Sequence, residues 1–234
     1  MVRLFSAVLM LAYRDSVNNM KIKTLLLTGV FVAAILPAAI AAQVRISDGG
    51  DGYPGGEFNA QLLPSGPTFK TFCLESAEYL YEFPGTYNYA ISSAAVNGGT
   101  TTSDPISLAT AWLYDQFLRG TLKDIGGATY SSSSTDENDL QGAIWWLEGE
   151  TQPSYGYVTV SKNRYVLMAE SVLGTTYLND ANGTYGVYVM NLTNPTTGDR
   201  RQDLLIRVPD GGLTAAMLGM SLAGLALVAR RKES

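Results

Sequence analysis

The chain has 234 residues, 16 of them basic and 21 acidic, with no histidine and a single cysteine, Cys73. Without histidine, Ser-His-Asp and Cys-His catalysis and histidine-ligated zinc are excluded, and one cysteine permits no internal disulfide. Residues 43–207 carry nine basic against eighteen acidic side chains, a net charge of −9, which is the wrong sign for a nucleic acid or an anionic membrane surface.

In chain order, Met20-Lys21-Ile22-Lys23 reads as a basic n-region and Thr24 to Ile40 as an apolar h-region. Ala39-Ile40-Ala41 has the small-x-small pattern that signal peptidase requires, so cleavage is expected after Ala41. Residues 20–41 are then a signal peptide, and residues 1–19 are an over-extended start or an unusual n-region. Residues 43–207 remain as one exported domain, a length that suits a single core.

Strands are expected at Glu57 to Leu63, Phe69 to Glu75, Tyr87 to Ser92, Tyr185 to Leu192 and Asp203 to Val208. Between them, Ser107 to Arg119, Glu137 to Glu148 and Ser161 to Leu173 carry apolar residues at helical spacing, as in Leu140, Ile144 and Leu147. Asp104-Pro105, Asp136 and Ser161 are expected helix starts, and Gly120, Gly149 and Gly174 stand where a left-handed residue ends a helix. The fold class is therefore α+β: a β-sandwich or barrel-like sheet from the N- and C-terminal strands, with a helical subdomain inserted between Asp104 and Gly174. The Asp48-Gly49-Gly50-Asp51-Gly52 loop reads as a solvated loop rather than a calcium site, since no acidic twelfth position follows. No metal, cofactor or catalytic residue is expected. A hydrolase without histidine needs paired carboxylates, and Asp136, Glu137 and Asp139 read instead as a helix N-terminal cluster.

The last 27 residues hold Val208-Pro209-Asp210-Gly211-Gly212, an apolar run from Leu213 to Ala229, and Arg230-Arg231-Lys232. Seventeen residues at 1.5 Å rise make about 26 Å of helix, near the hydrocarbon thickness, so residues 208–234 are expected to include a single transmembrane helix. The trailing cations orient it with residues before Val208 on the non-cytoplasmic side. This tail resembles the PEP-CTERM sorting signals in their VPDGG variant. The resemblance implies processing by an exosortase-type membrane peptidase and delivery to the cell surface or extracellular matrix.

Cys73 is either a small buried hydrophobe or a thiol masked by something other than cysteine. Thr71-Phe72-Cys73-Leu74-Glu75 and Leu140-Gln141-Gly142-Ala143-Ile144-Trp145 resemble the two signatures of the Cys-Gln thioester domains of bacterial surface adhesins. That resemblance implies Cys73 as the thioester sulfur and Gln141 as the acyl donor, with Phe72, Ala143, Ile144 and Trp145 as supporting packing. It further implies a non-enzymatic covalent adhesin whose target supplies an amine or hydroxyl. The alternative is a passive structural protein of an exopolysaccharide or biofilm matrix with an inert cysteine. The implied partners are signal peptidase, the exosortase, the membrane and the acylated target.

Overall fold

A computed structural model describes residues 42–50, 56–96, 103–150 and 158–208. Ala41, Pro209, Asp210, Gly211, Gly212, the apolar tail, the signal segment and the second half of the Asp48–Gly52 loop lie outside these residues. Among the described residues no helix is long and apolar enough to cross a membrane.

The sheet begins with a strand that the sequence reading passed over. In β1 (Gln43–Asp48), Val44 and Ile46 are fully buried and alternate with exposed or half-buried Gln43, Arg45 and Ser47, a period of two that buries one face. It pairs with β2 (Phe58–Leu62) on one side and β4 (Gly85–Ser92) on the other. The sheet is six-stranded and antiparallel, in the order β3 (Thr68–Thr71), β2, β1, β4, β7 (Val187–Thr193), β8 (Leu204–Arg207). Two further short strands, β5 (Ala94–Ala95) and β6 (Asp104–Pro105), pair beside it.

The outer strands nearly meet. Past the end of β3, Leu205 N–H donates to Phe72 C=O at 3.2 Å and Leu74 N–H donates to Asp203 C=O at 2.9 Å. Thr71 Oγ1 also donates to Leu205 C=O at 2.6 Å. These bonds bring the β3 end of the sheet round to β8 and make it a nearly closed, barrel-like sheet.

The three α-helices among the described residues lie between the sheet-forming ends of the domain: α1 (Leu108–Leu118), α2 (Ser134–Leu147) and α3 (Arg164–Leu173). Their starts differ from expectation. Asp104-Pro105 is extended and forms β6, because proline biases its predecessor towards extended backbone, and Ser107 caps α1 through Thr110 N–H. Ser133, not Asp136, caps α2; Asp136 lies in the first turn, where its carboxylate receives Ser131, Tyr165 and Arg164. Asn163, not Ser161, caps α3 by accepting from Tyr165 N–H. Gly120, Gly149 and Gly174 follow the helices at φ of 67°, 77° and 60°, values that glycine adopts without steric cost.

Two apolar clusters result. One joins Phe72 and Leu74 to the helices through Leu113, Leu140, Ile144 and Val166. The other fills the inner side of the sheet with Val44, Ile46, Tyr87, Leu204 and Ile206, and includes Cys73 and Trp145. Polar ties cross between sheet and helices as well: Tyr114 Oη donates to Lys70 C=O at 2.7 Å and Tyr130 Oη to Glu57 Oε1 at 2.6 Å.

Candidate functional site

Cys73 stands where the chain leaves β3, paired across the seam with Leu204. The bonds flanking this pair, Leu74 N–H to Asp203 C=O and Leu205 N–H to Phe72 C=O, make Cys73 and Leu204 a non-hydrogen-bonded antiparallel pair. The N–H and C=O of Cys73 therefore point away from β8, and its side chain lies close to that of Leu204.

Gln141 fills the vacant side. Its Oε1 accepts the Cys73 N–H at 3.0 Å, and its Nε2 donates to the Cys73 C=O at 2.8 Å. One carboxamide thus pairs with both main-chain groups of one residue, as a neighbouring strand would. Both residues are buried, Gln141 completely, so each bond satisfies a group whose isolation costs about 1–3 kcal/mol.

Helix α2 can reach this far because of Gly142. A Cβ there would lie 2.4 Å from the carbonyl oxygen of Thr159, so only a hydrogen lets the helix lie against that segment. Ala143 and Ile144 are fully buried against the helical core, and Trp145 follows Gln141 by one turn into the cluster that contains Cys73.

Phe72 points to the opposite side from Cys73, as alternation along an extended chain requires. It meets Phe117 edge-on at 5.0 Å and belongs to the helical core, together with Trp112 and Tyr114, while Trp146 packs against that core. Of the expected aromatic surroundings, Trp145 alone shares a cluster with the cysteine.

The segment after Cys73 carries acids. Glu78 Oε2 accepts the Asp203 N–H at 3.3 Å, and Glu150 Oε2 accepts Ser76 N–H at 3.0 Å and Ser76 Oγ at 2.5 Å. Burial, then a hydrogen bond with Glu150, pushes Glu75 up to about 9. Burial and the neighbouring Asp203 push Glu78 up to about 7, and burial raises Asp203 to about 6. Burial, reinforced by Glu78, drives the Cys73 thiol far above the ordinary range. A thiol so held is neutral and inert toward ordinary alkylation.

Glu148 lies elsewhere, at the N-terminus of α1. It accepts from Ser107 Oγ at 3.0 Å and Thr110 Oγ1 at 2.5 Å, and burial raises it to about 7 against those bonds.

Sequence reasoning missed Gln202. It is buried, and its Nε2 donates to Glu75 C=O at 2.8 Å and to Asp203 C=O at 3.3 Å. It lies just before β8, on the stretch that faces the segment following Cys73. The available signal was a polar residue two positions before the apolar Leu204-Leu205-Ile206 run, a pattern weak enough to pass as a strand edge. Among the described residues no group of acidic or cysteine side chains is arranged to hold a metal ion. Val208 is the one described member of the tail motif, and its N–H donates to Gly186 C=O at 2.8 Å. Comparison with protein-family models, curated proteins and solved structures gives no match.

Proposed function

We propose that this is an exported surface or matrix-associated protein, sorted by an exosortase-type peptidase through residues 208–234, whose domain forms an internal thioester between Cys73 and a glutamine. A lysine amine or a hydroxyl on a target attacks the thioester, releases Cys73 as a thiol and leaves an amide or ester crosslink. The protein acts once and has no turnover.

The observation that carries this reading is the paired hydrogen bonding between Gln141 and Cys73, residues 68 positions apart. An amide carbon has low reactivity toward a thiol, and holding the two groups together supplies much of the missing rate. Burial keeps water from the product. The Cys73 N–H on Gln141 Oε1 polarises the carbonyl in the sense that acyl transfer needs.

Gln202 is a second buried carboxamide at this seam, bonded to Glu75 C=O and Asp203 C=O, and peptide mapping distinguishes it from Gln141 as the donor. The two assignments predict different products.

The test is intact mass and peptide mapping of the purified protein beside Cys73→Ala, before and after methylamine. A mass lower by one ammonia in the wild type alone, with methylamide at Gln141 or at Gln202 after treatment, supports the thioester and names the donor. An unmodified mass with Cys73 alkylated only after denaturation sinks it and leaves the passive matrix protein.

A further inference from the structure

The acids beside Cys73 have no part in the thioester reading as it stands, yet acyl transfer has to move protons inside a buried seam. Forming the bond joins Sγ to the glutamine Cδ and breaks the Cδ–N bond. The thiol proton must leave sulfur, and the departing nitrogen must gain a proton to become ammonia. Opening reverses the traffic: the attacking amine loses a proton and the sulfur regains one.

Glu78 is positioned for this. In a continued ladder the Asp203 N–H would bond to the Leu74 carbonyl, since Asp203 C=O already receives the Leu74 N–H. Instead the Glu78 carboxylate takes that N–H, so it ends the β3–β8 seam one residue from the Cys73–Leu204 pair. After burial, its charge is the second influence that holds the proton on the Cys73 thiol. Glu78 is only partly buried while Cys73 and Asp203 are buried, so its carboxylate connects the seam to solvent.

Resting on the thioester reading, we propose that Glu78 is the proton-transfer group of this site. It accepts the thiol proton and delivers one to the leaving ammonia during formation, and it carries the amine proton to sulfur during opening. The groups around it are Asp203, Arg200 and Glu150, with Glu75 in the same acidic run. A carboxyl held near neutrality by this setting can both take and give a proton at physiological pH.

Glu75 and Glu148 are weaker choices. Glu75 is engaged by a hydrogen bond with Glu150, and the Glu148 carboxylate is occupied by Ser107 and Thr110 at α1.

The test is Glu78→Gln in the full chain, because glutamine keeps an acceptor for the Asp203 N–H and removes only the proton exchange. Thioester content is read by intact mass and methylamine opening by its rate from pH 5.5 to 9, with thermal denaturation as the folding control. The expected result is a variant that melts no lower than the wild type and either fails to lose ammonia or opens about 100-fold more slowly, with the pH dependence near 7 abolished. Partial rescue is expected in Glu78→Asp. Equal thioester content and an equal pH profile in Glu78→Gln overturn the role of Glu78 and leave the thioester standing. A wild-type protein with no ammonia loss overturns both.

Discussion

At the scale of single residues, the Gln141 carboxamide of the unreacted protein satisfies both main-chain groups of Cys73. Gln141→Leu, close to isosteric, leaves a buried N–H and a buried C=O of Cys73 without partners. A loss of about 2–5 kcal/mol is expected, read as a shift of the urea midpoint. If the loss is under 1 kcal/mol, the clasp is not an important anchor of the seam. Gly142→Ala tests the adjacent contact. In an exposed helix this change stabilises by about 1 kcal/mol. Here the new methyl collides with the Thr159 carbonyl, so a net loss of about 1–2 kcal/mol is expected, with the overpacking term dominating. The Gln141 motif was legible in the sequence because a polar residue within Leu140-Gln141-Gly142-Ala143-Ile144-Trp145 needs a reason. Its partner atoms were not legible. Nothing in the spacing says that the glutamine addresses the main chain of Cys73.

At the scale of elements, the helices were readable from apolar periodicity, but their first residues were not. Ser107, Ser133 and Asn163 cap them, while the sequence reading preferred Asp104, Asp136 and Ser161, each within three residues of the true cap. Several capping residues stood close together at each start, and tertiary contacts chose among them. Asp136 shows why. Arg164 and Tyr165 from α3 claim its carboxylate, which leaves the cap to Ser133. Glu148 makes a related link, from the end of α2 to the start of α1. Its pKa is raised to about 7 by burial, so folding favours the protonated form. Stability from this group is therefore full below the ordinary carboxylate range and falls as pH rises toward 7. Glu148→Gln retains an acceptor for Ser107 and Thr110 and carries no charge. It is expected to melt close to the wild type at pH 5 and above it at pH 8. The same melting difference at both pH values would count against a buried carboxylate as the cause.

At the scale of the whole molecule, the acids at the Cys73 seam act in the same direction as Glu148. Glu75, Glu78 and Asp203 are all held above their ordinary values, to about 9, 7 and 6. Each binds its proton more tightly in the folded chain, so each favours the fold at the acid end and weakens it as pH climbs through the folded value. The melting temperature is expected to be highest near pH 5 and to decline toward pH 9, tracked by circular dichroism at fixed ionic strength. A maximum above pH 8 would contradict this setting of the carboxyls.

The sequence by itself determined the α+β content, the helical insertion between Asp104 and Gly174, and the lone cysteine with its glutamine motif, because periodicity and residue type act locally. It did not reveal β1, since Gln43–Asp48 is a short alternating run next to a glycine-rich loop. Only the tertiary structure decided that β3 and β8 meet at Cys73, that Gln141 supplies the missing strand edge there, and that Gln202 and Glu78 both bond at the same seam. Those placements depend on pairings between residues from 68 to more than a hundred positions apart, and on burial that local pattern does not encode. A glutamine that clasps a backbone and one that stays in solvent are spelled alike until the chain closes on itself.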